Sequence, residues 1–232
     1  MAIIQVMSGG APKEVFAQLT PKFEAQSGHK VKFTYAVITV LREKLAAGEK
    51  ADVLVLPVPV LDEFAKNSMV RADARGSFGI VGTSVVVKEG APRLDISTKE
   101  KFRDAMLAAR SVVFSTPGKT PSGTHMGKVV DQLGIADAMA KKIIHKPALD
   151  GGVQLVAAGE ADLGIYPSSE VAHVKGLTIV GPLPAGVEFN NVYGAAATAE
   201  SASPDAAAAF VKFMAAPENR SAWTDGGFDP PH

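Results

Sequence analysis

Short apolar runs alternate with helix-period patterns along this whole chain, and a small or hydroxyl-bearing turn often stands between a run and the helix after it. Ile3-Ile4-Gln5-Val6 leads through Met7-Ser8-Gly9-Gly10-Ala11-Pro12 to Val15, Phe16, Leu19 and Phe23 at helical spacing. That order predicts a strand, a tight turn and a helix. Repeated alternation of this kind gives a layered α/β fold with largely parallel strands. Turns at the carboxyl ends of such strands share one rim, and ligands bind along it.

Ser8-Gly9-Gly10 is suited to that rim. Small residues let backbone amides approach a guest closely, and a helix start carries about half a positive charge. The same design recurs. Val31–Tyr35 leads through Thr39 into Leu41-Arg42-Glu43; Ser111–Phe114 leads through a loop ending in Ser122-Gly123-Thr124; Ile143–Lys146 leads to Asp150-Gly151-Gly152. Ser8, Thr39, Ser122 and Thr124 offer hydroxyls, while Gly9, Gly10, Gly123 and Gly152 offer amides. Each of these positions is also suited to capping its own helix or closing its own turn. Arg42 suits bidentate contact with a carboxylate. His125, with an ordinary pKa of about 6.5, suits proton transfer, and Tyr166 ends a predicted strand.

Composition narrows the function. The 232 residues carry 24 basic and 24 acidic side chains, a formal net charge of zero, so there is no basic excess for nucleic acid or an anionic membrane surface. There are no cysteines, which removes disulfides, thiolate metal sites and cysteine nucleophiles. The histidines (His29, His125, His145, His173 and His232) show no metal-ligand spacing, so neither a metal nor a cofactor is expected. No apolar run reaches the roughly 18 residues of a membrane span, and no signal peptide is legible. Met1-Ala2 directly before the first strand fits a cytoplasmic protein. It equally fits a periplasmic one whose leader has been replaced.

Patterning predicts strands near 3–7, 30–35, 51–56, 78–87, 111–115, 143–146, 161–166, 177–181 and 188–198. It predicts helices near 12–27, 39–47, 59–66, 99–109, 123–133, 136–140, 151–158, 168–172, 204–215 and 217–225. Thr98 reads as the cap of the fourth, and Trp223 as a core residue of the first lobe. The long strands near 78–88 and 188–198 bracket the middle section. They predict a discontinuous first lobe (1–82 with 192–232) and a second lobe (83–191), joined by two crossing strands. A ligand cleft would lie between the lobes, able to close.

In order along the chain, Ser8-Gly9-Gly10, the stretch Leu41 to Val53 ending in Ala51-Asp52-Val53, Gly82-Thr83-Ser84-Val85-Val86-Val87, Gly159-Glu160-Ala161-Asp162-Leu163-Gly164-Ile165 and the closing Phe210–Met214 with Pro217-Glu218 resemble type II periplasmic solute-binding proteins. The molybdate-binding branch is the most similar. The resemblance implies a two-lobe mixed α/β fold, a monomer in the periplasm, an ABC-transporter permease as partner, and Ser8, Thr39, Thr83 and the last loop near Tyr166 as ligand contacts. This chain departs from the branch at two points. Thr39 is the one clear hydroxyl in the second loop, and Pro167 stands where a tyrosine is usual, with Tyr166 beside it. The resemblance therefore implies the fold without fixing the ligand, a carboxylate or a molybdate-like oxyanion. Aconitate isomerases resemble the same family. On that likeness the alternative is an enzyme that moves a proton on a small polycarboxylate, with His125 and Tyr166 as acid–base groups.

Overall fold

A computed structural model describes residues 1–230; Pro231 and His232, the last of the five histidines, lie outside the described residues. The chain divides into two units, residues 1–81 with 191 onward, and Gly82–Asn190.

The first unit opens with β1 (Ile3–Ser8), α1 (Lys13–Ser27), β2 (Lys30–Tyr35), α2 (Ile38–Ala46), β3 (Val53–Pro57), α3 (Val58–Lys66) and the first part of β4 (Val70–Lys88). The second unit holds the rest of β4, then α4 (Lys99–Ala108), β5 (Val112–Phe114), α5 (Pro121–Gln132), α6 (Ala136–Met139), β6 (Ile143–His145), α7 (Gly152–Ala158), β7 (Leu163–Pro167), α8 (Ser168–Val171) and β8 (Leu177–Pro182). The chain returns to the first unit through β9 (Asn190–Thr198) and ends in α9 (Pro204–Met214) and α10 (Arg220–Asp225).

In the first unit the strand order is β2-β1-β3-β9-β4. β1 is parallel to β2 and β3, with Ser8 opposite Tyr35 and Val55, and β9 runs antiparallel to β3. Side chains alternate across the sheet as strand geometry requires. Ile4, Val6, Val53 and Val55 enter the core beneath α1, α9 and α10, while Met7, Leu54 and Leu56 enter the one beneath α2 and α3. Trp223 lies in the first of these cores, stacked on Phe78 at 4.3 Å with its indole N–H donating to the Met214 carbonyl.

In the second unit β7 pairs antiparallel with β4 and parallel with β5, β5 pairs parallel with β6, and β8 pairs with β4. Val85, Val112, Phe114 and Ile165 face one core; Val86, Val113 and Tyr166 face the other. The Thr98 hydroxyl caps α4 by accepting from the Lys101 amide.

The structure corrects several expected boundaries. β4 begins at Val70 rather than near Phe78. A 3₁₀ turn at Ala148–Asp150 precedes α7, and the last helix is split into a 3₁₀ turn (Pro217–Asn219) and α10.

Asp52, only 4% exposed, ties the start of β3 to its neighbours. Its carboxylate accepts from the Gln5 amide (2.8 Å), the Ser201 hydroxyl (2.6 Å) and the Ala202 amide (3.0 Å). Asp52→Ala strands three donors and is expected to cost about 1–3 kcal/mol in urea unfolding.

Candidate functional site

Parallel pairing puts the ends of β1, β2 and β3 on one edge of the first unit. Helices α1, α2 and α3 begin there, and none has a side-chain cap. No side chain caps their first amides, although the Lys13 amide of α1 donates to the Gly10 carbonyl and Pro59 in the first turn of α3 has no N–H to offer. Thr39 sits in the first turn of α2, and its hydroxyl oxygen is buried with no hydrogen-bond partner. Orphaned polar atoms of this kind are rare in native folds.

The other expected contacts of this unit are engaged internally. Ser8 is fully buried, and its hydroxyl donates to the Gly9 carbonyl at 2.8 Å. The Gly9 amide donates to the Val55 carbonyl, and the Gly10 carbonyl accepts from Lys13. A Cβ on Gly9 would meet the Tyr193 hydroxyl at 3.4 Å, so the glycine keeps that tyrosine close to the loop. Arg42 pairs with Glu63 and lies over the Phe64 ring at 5.3 Å, which ties α2 to α3. Tyr35, at the end of β2, has its phenol pushed well above the ordinary range by burial and by Glu14.

In the second unit β5, β6 and β7 are parallel, so Ser115, Lys146 and Ser168-Ser169 share an edge. Thr83 joins them, since β4 places it opposite Pro167; it is 3% exposed. The Thr120 hydroxyl caps α5 by accepting from the Gly123 amide. Ser122 lies 3.5 Å from that same hydroxyl, and Thr124 donates to the Thr120 carbonyl and accepts from the Gly118 amide. Gly123 has a packing reason as well: a Cβ there would stand 2.3 Å from the Ser115 carbonyl oxygen. The Gly152 amide donates to the Pro147 carbonyl.

Tyr166 is fully buried and donates to the Lys146 carbonyl at 2.7 Å. Burial, with a smaller contribution from the Glu170 charge, raises its phenol far above the usual value. His125 is stacked on Phe189 at 4.6 Å, and its Nε2 lies 2.8 Å from the Val187 carbonyl. A carbonyl only accepts, so Nε2 carries a proton there.

Three groups on these edges were not singled out from sequence. The Ser169 hydroxyl is buried without a partner. Lys146 is half-buried, and burial pushes the Glu170 carboxyl up to about 7. Spacing alone carries no signal for them, because their state depends on which strands end beside them. Cavities of about 700 and 420 Å³ in this unit open elsewhere, beside Arg93–Ser97 and beside Lys88 and Arg110. Neither takes in the residues of the strand-end edge. Among the described residues no three His, Asp or Glu side chains form a metal-holding group, and no helix is long and apolar enough to cross a membrane.

Comparison with known proteins places these features in context. Residues 4–229 match the family model described as bacterial extracellular solute-binding protein. An aconitate isomerase from a Pseudomonas species is 28% identical over 233 residues, covering 98% of this chain and 87% of that protein. The periplasmic molybdate-binding protein of Azotobacter vinelandii has a similar fold (TM-score 0.82, 20% identity, 99% of this chain and 100% of that one). So does the sulfate-binding protein of Mycobacterium tuberculosis (TM-score 0.78, 21% identity, 99% and 87%).

Proposed function

Because the chain belongs to the family of bacterial extracellular solute-binding proteins, we propose that it holds a small anion, with organic polycarboxylates as the favoured class. The observation that carries this reading is the edge of the first unit, where α1, α2 and α3 start without side-chain caps and the Thr39 hydroxyl is buried without a partner. Helix starts and an unused hydroxyl are the donors that an anion completes. The second unit, taken by itself, carries the Thr83 and Ser169 hydroxyls on its own strand-end edge. Gly9, Gly10, Ser122, Gly123 and Gly152 shape the loops that carry these donors.

The nearly full-length likeness to an aconitate isomerase favours a carboxylate over a tetrahedral oxyanion. In this reading the protein works outside the cytoplasm and delivers its ligand to an ABC-transporter permease. Thr39→Val keeps the shape and removes the hydroxyl. It is expected to weaken trans-aconitate binding about tenfold by titration calorimetry, the size of a hydrogen bond to a charged group. Ser8→Ala changes affinity much less, because the Ser8 proton already lies on the Gly9 carbonyl. An unchanged affinity in Thr39→Val would place the anion elsewhere.

A second reading rests on the same relative: the scaffold turns its ligand over. His125 is then the acid–base group, acting through Nδ1 while the Val187 carbonyl fixes the tautomer. Tyr166, its proton held on Lys146, is a positioning group. Proton NMR of trans-aconitate in deuterated buffer separates the readings. Appearance of cis-aconitate or allylic exchange, abolished in His125→Gln, supports turnover; line broadening alone supports binding without chemistry.

A further inference from the structure

Lys146 directly follows β6, and its backbone is held at both ends. Its amide donates to the Phe114 carbonyl at 3.1 Å, and its carbonyl accepts the Tyr166 hydroxyl at 2.7 Å. Its side chain has no such tie. The ammonium lies alongside Gly151, where a Cβ would stand 3.8 Å from Nζ and 3.9 Å from Cε. Among the described residues no carboxylate comes within 4.0 Å of it, whereas Lys101 pairs with Asp95, Arg110 pairs with Asp162, and Lys142 donates to the Leu107 carbonyl. An ammonium without an ion pair is free to meet an anion that arrives from solution.

The surroundings point to an anionic guest. The parallel strands β5, β6 and β7 bring Ser115, Lys146 and Ser169 to one edge, and the Ser169 hydroxyl, in a residue 3% exposed, also lacks a partner. An unpaired cation and an unpaired hydroxyl donor on one edge lack the same thing, a group that only accepts. A carboxylate is such a group.

We propose that Lys146 determines ligand class by binding a carboxylate of the guest, so that the protein selects organic acids carrying at least two carboxylates. This rests on the reading that the protein holds an anion, and the residues it uses all belong to the second unit. A cation beside a strand end adds affinity for each charge it meets, and its attraction is strongest where water is partly excluded.

The test is calorimetric titration of the full chain with trans-aconitate, using the wild type, Lys146→Met and Lys146→Arg. Methionine keeps the stem and removes the charge, and thermal unfolding should be unchanged because the hydrogen bonds of this residue belong to its backbone. Expected are at least tenfold weaker binding in Lys146→Met, an intermediate value in Lys146→Arg, and a shallower dependence of affinity on salt in Lys146→Met. Wild-type binding with both variants within twofold of it would overturn the role of Lys146 and leave the anion-binding reading standing. No binding of trans-aconitate, citrate or tricarballylate by the wild type would overturn both. If Lys146→Met does not fold, Lys146→Arg with the wild-type salt series decides alone. Arginine at full affinity and no salt dependence in the wild type count against the proposal.

Discussion

Gly152→Ala is expected to lose more than about 3 kcal/mol of stability, through overpacking of a fully buried site. A Cβ at this position would stand 2.2 Å from the Tyr166 hydroxyl, 2.3 Å from the Lys146 carbonyl oxygen and 2.9 Å from the Pro147 carbonyl oxygen. Two of the three are backbone atoms and have no rotamer to escape into. Relief requires moving the start of α7, which breaks the bond from Tyr166 to Lys146 and strands a hydroxyl in a residue with no solvent exposure. Tyr166→Phe alone removes that hydroxyl and is expected to cost about 1–2 kcal/mol. The double variant recovers only part of the loss, since the Lys146 carbonyl remains in the way. Gly48→Ala is the control: Gly48 has a positive φ, +87°, which Gly152 does not share, and nothing lies within 4 Å of the added carbon. It should cost only about 1 kcal/mol of backbone strain. Urea unfolding of the four variants measures all of this. A Gly152→Ala protein as stable as Gly48→Ala would contradict the packing around Tyr166.

Glu170 should make the fold less stable as the pH rises from about 5 to 8. Burial raises its carboxyl to about 7 from an ordinary 4.5, and no cation among the described residues offsets the cost. Between those two pH values the folded chain keeps a proton that the unfolded chain has released. Stability therefore falls with rising pH across this window, and the penalty is complete above pH 7. The expected loss is about 2 kcal/mol, less than the whole shift implies because Glu170 keeps some contact with solvent. Glu170→Gln carries no charge at either pH and should be the more stable protein at pH 8. The carboxylates whose pKa values are lowered, such as Asp162 beside Arg110, lose their contribution only in more acidic solution. The difference between wild type and Glu170→Gln in urea unfolding at pH 5 and 8 therefore isolates this one group. An equal pH dependence in the two would contradict it.

Much of the fold was legible because it rests on local patterns. Val53–Leu56 is a short apolar run and proves to be a strand buried on both faces. Thr98 stands three residues before the Lys101 amide it caps, a spacing visible in the chain. The first part of β4 was not legible, and its reason is positional. Val70–Ser77 is the edge of its sheet, where charged residues such as Arg71 and Asp73 face solvent and pair with each other. Edge strands tolerate and use such charges, so the apolar signal is lost there.

The site was legible by its loops and not by its donors. Ser8 falls at a strand end and Thr39 at a helix start, as their turns indicate, whereas Thr83 lies inside β4. Whether a hydroxyl is free depends on its neighbours in space: Ser8 finds the Gly9 carbonyl, while Thr39 finds nothing. Arg42 meets Glu63 and His125 meets Val187, 21 and 62 residues away, so each has a structural partner that spacing does not show. Lys146 escaped notice because its place beside Ser169 depends on the parallel pairing of β5, β6 and β7.

Whether this family member takes an organic polycarboxylate is decided by titration calorimetry at pH 7 with trans-aconitate, citrate, molybdate and sulfate. Saturable one-to-one binding of a polycarboxylate is expected, about micromolar or tighter, with molybdate and sulfate far weaker. Tight binding of molybdate or sulfate with no heat from either carboxylate would contradict it.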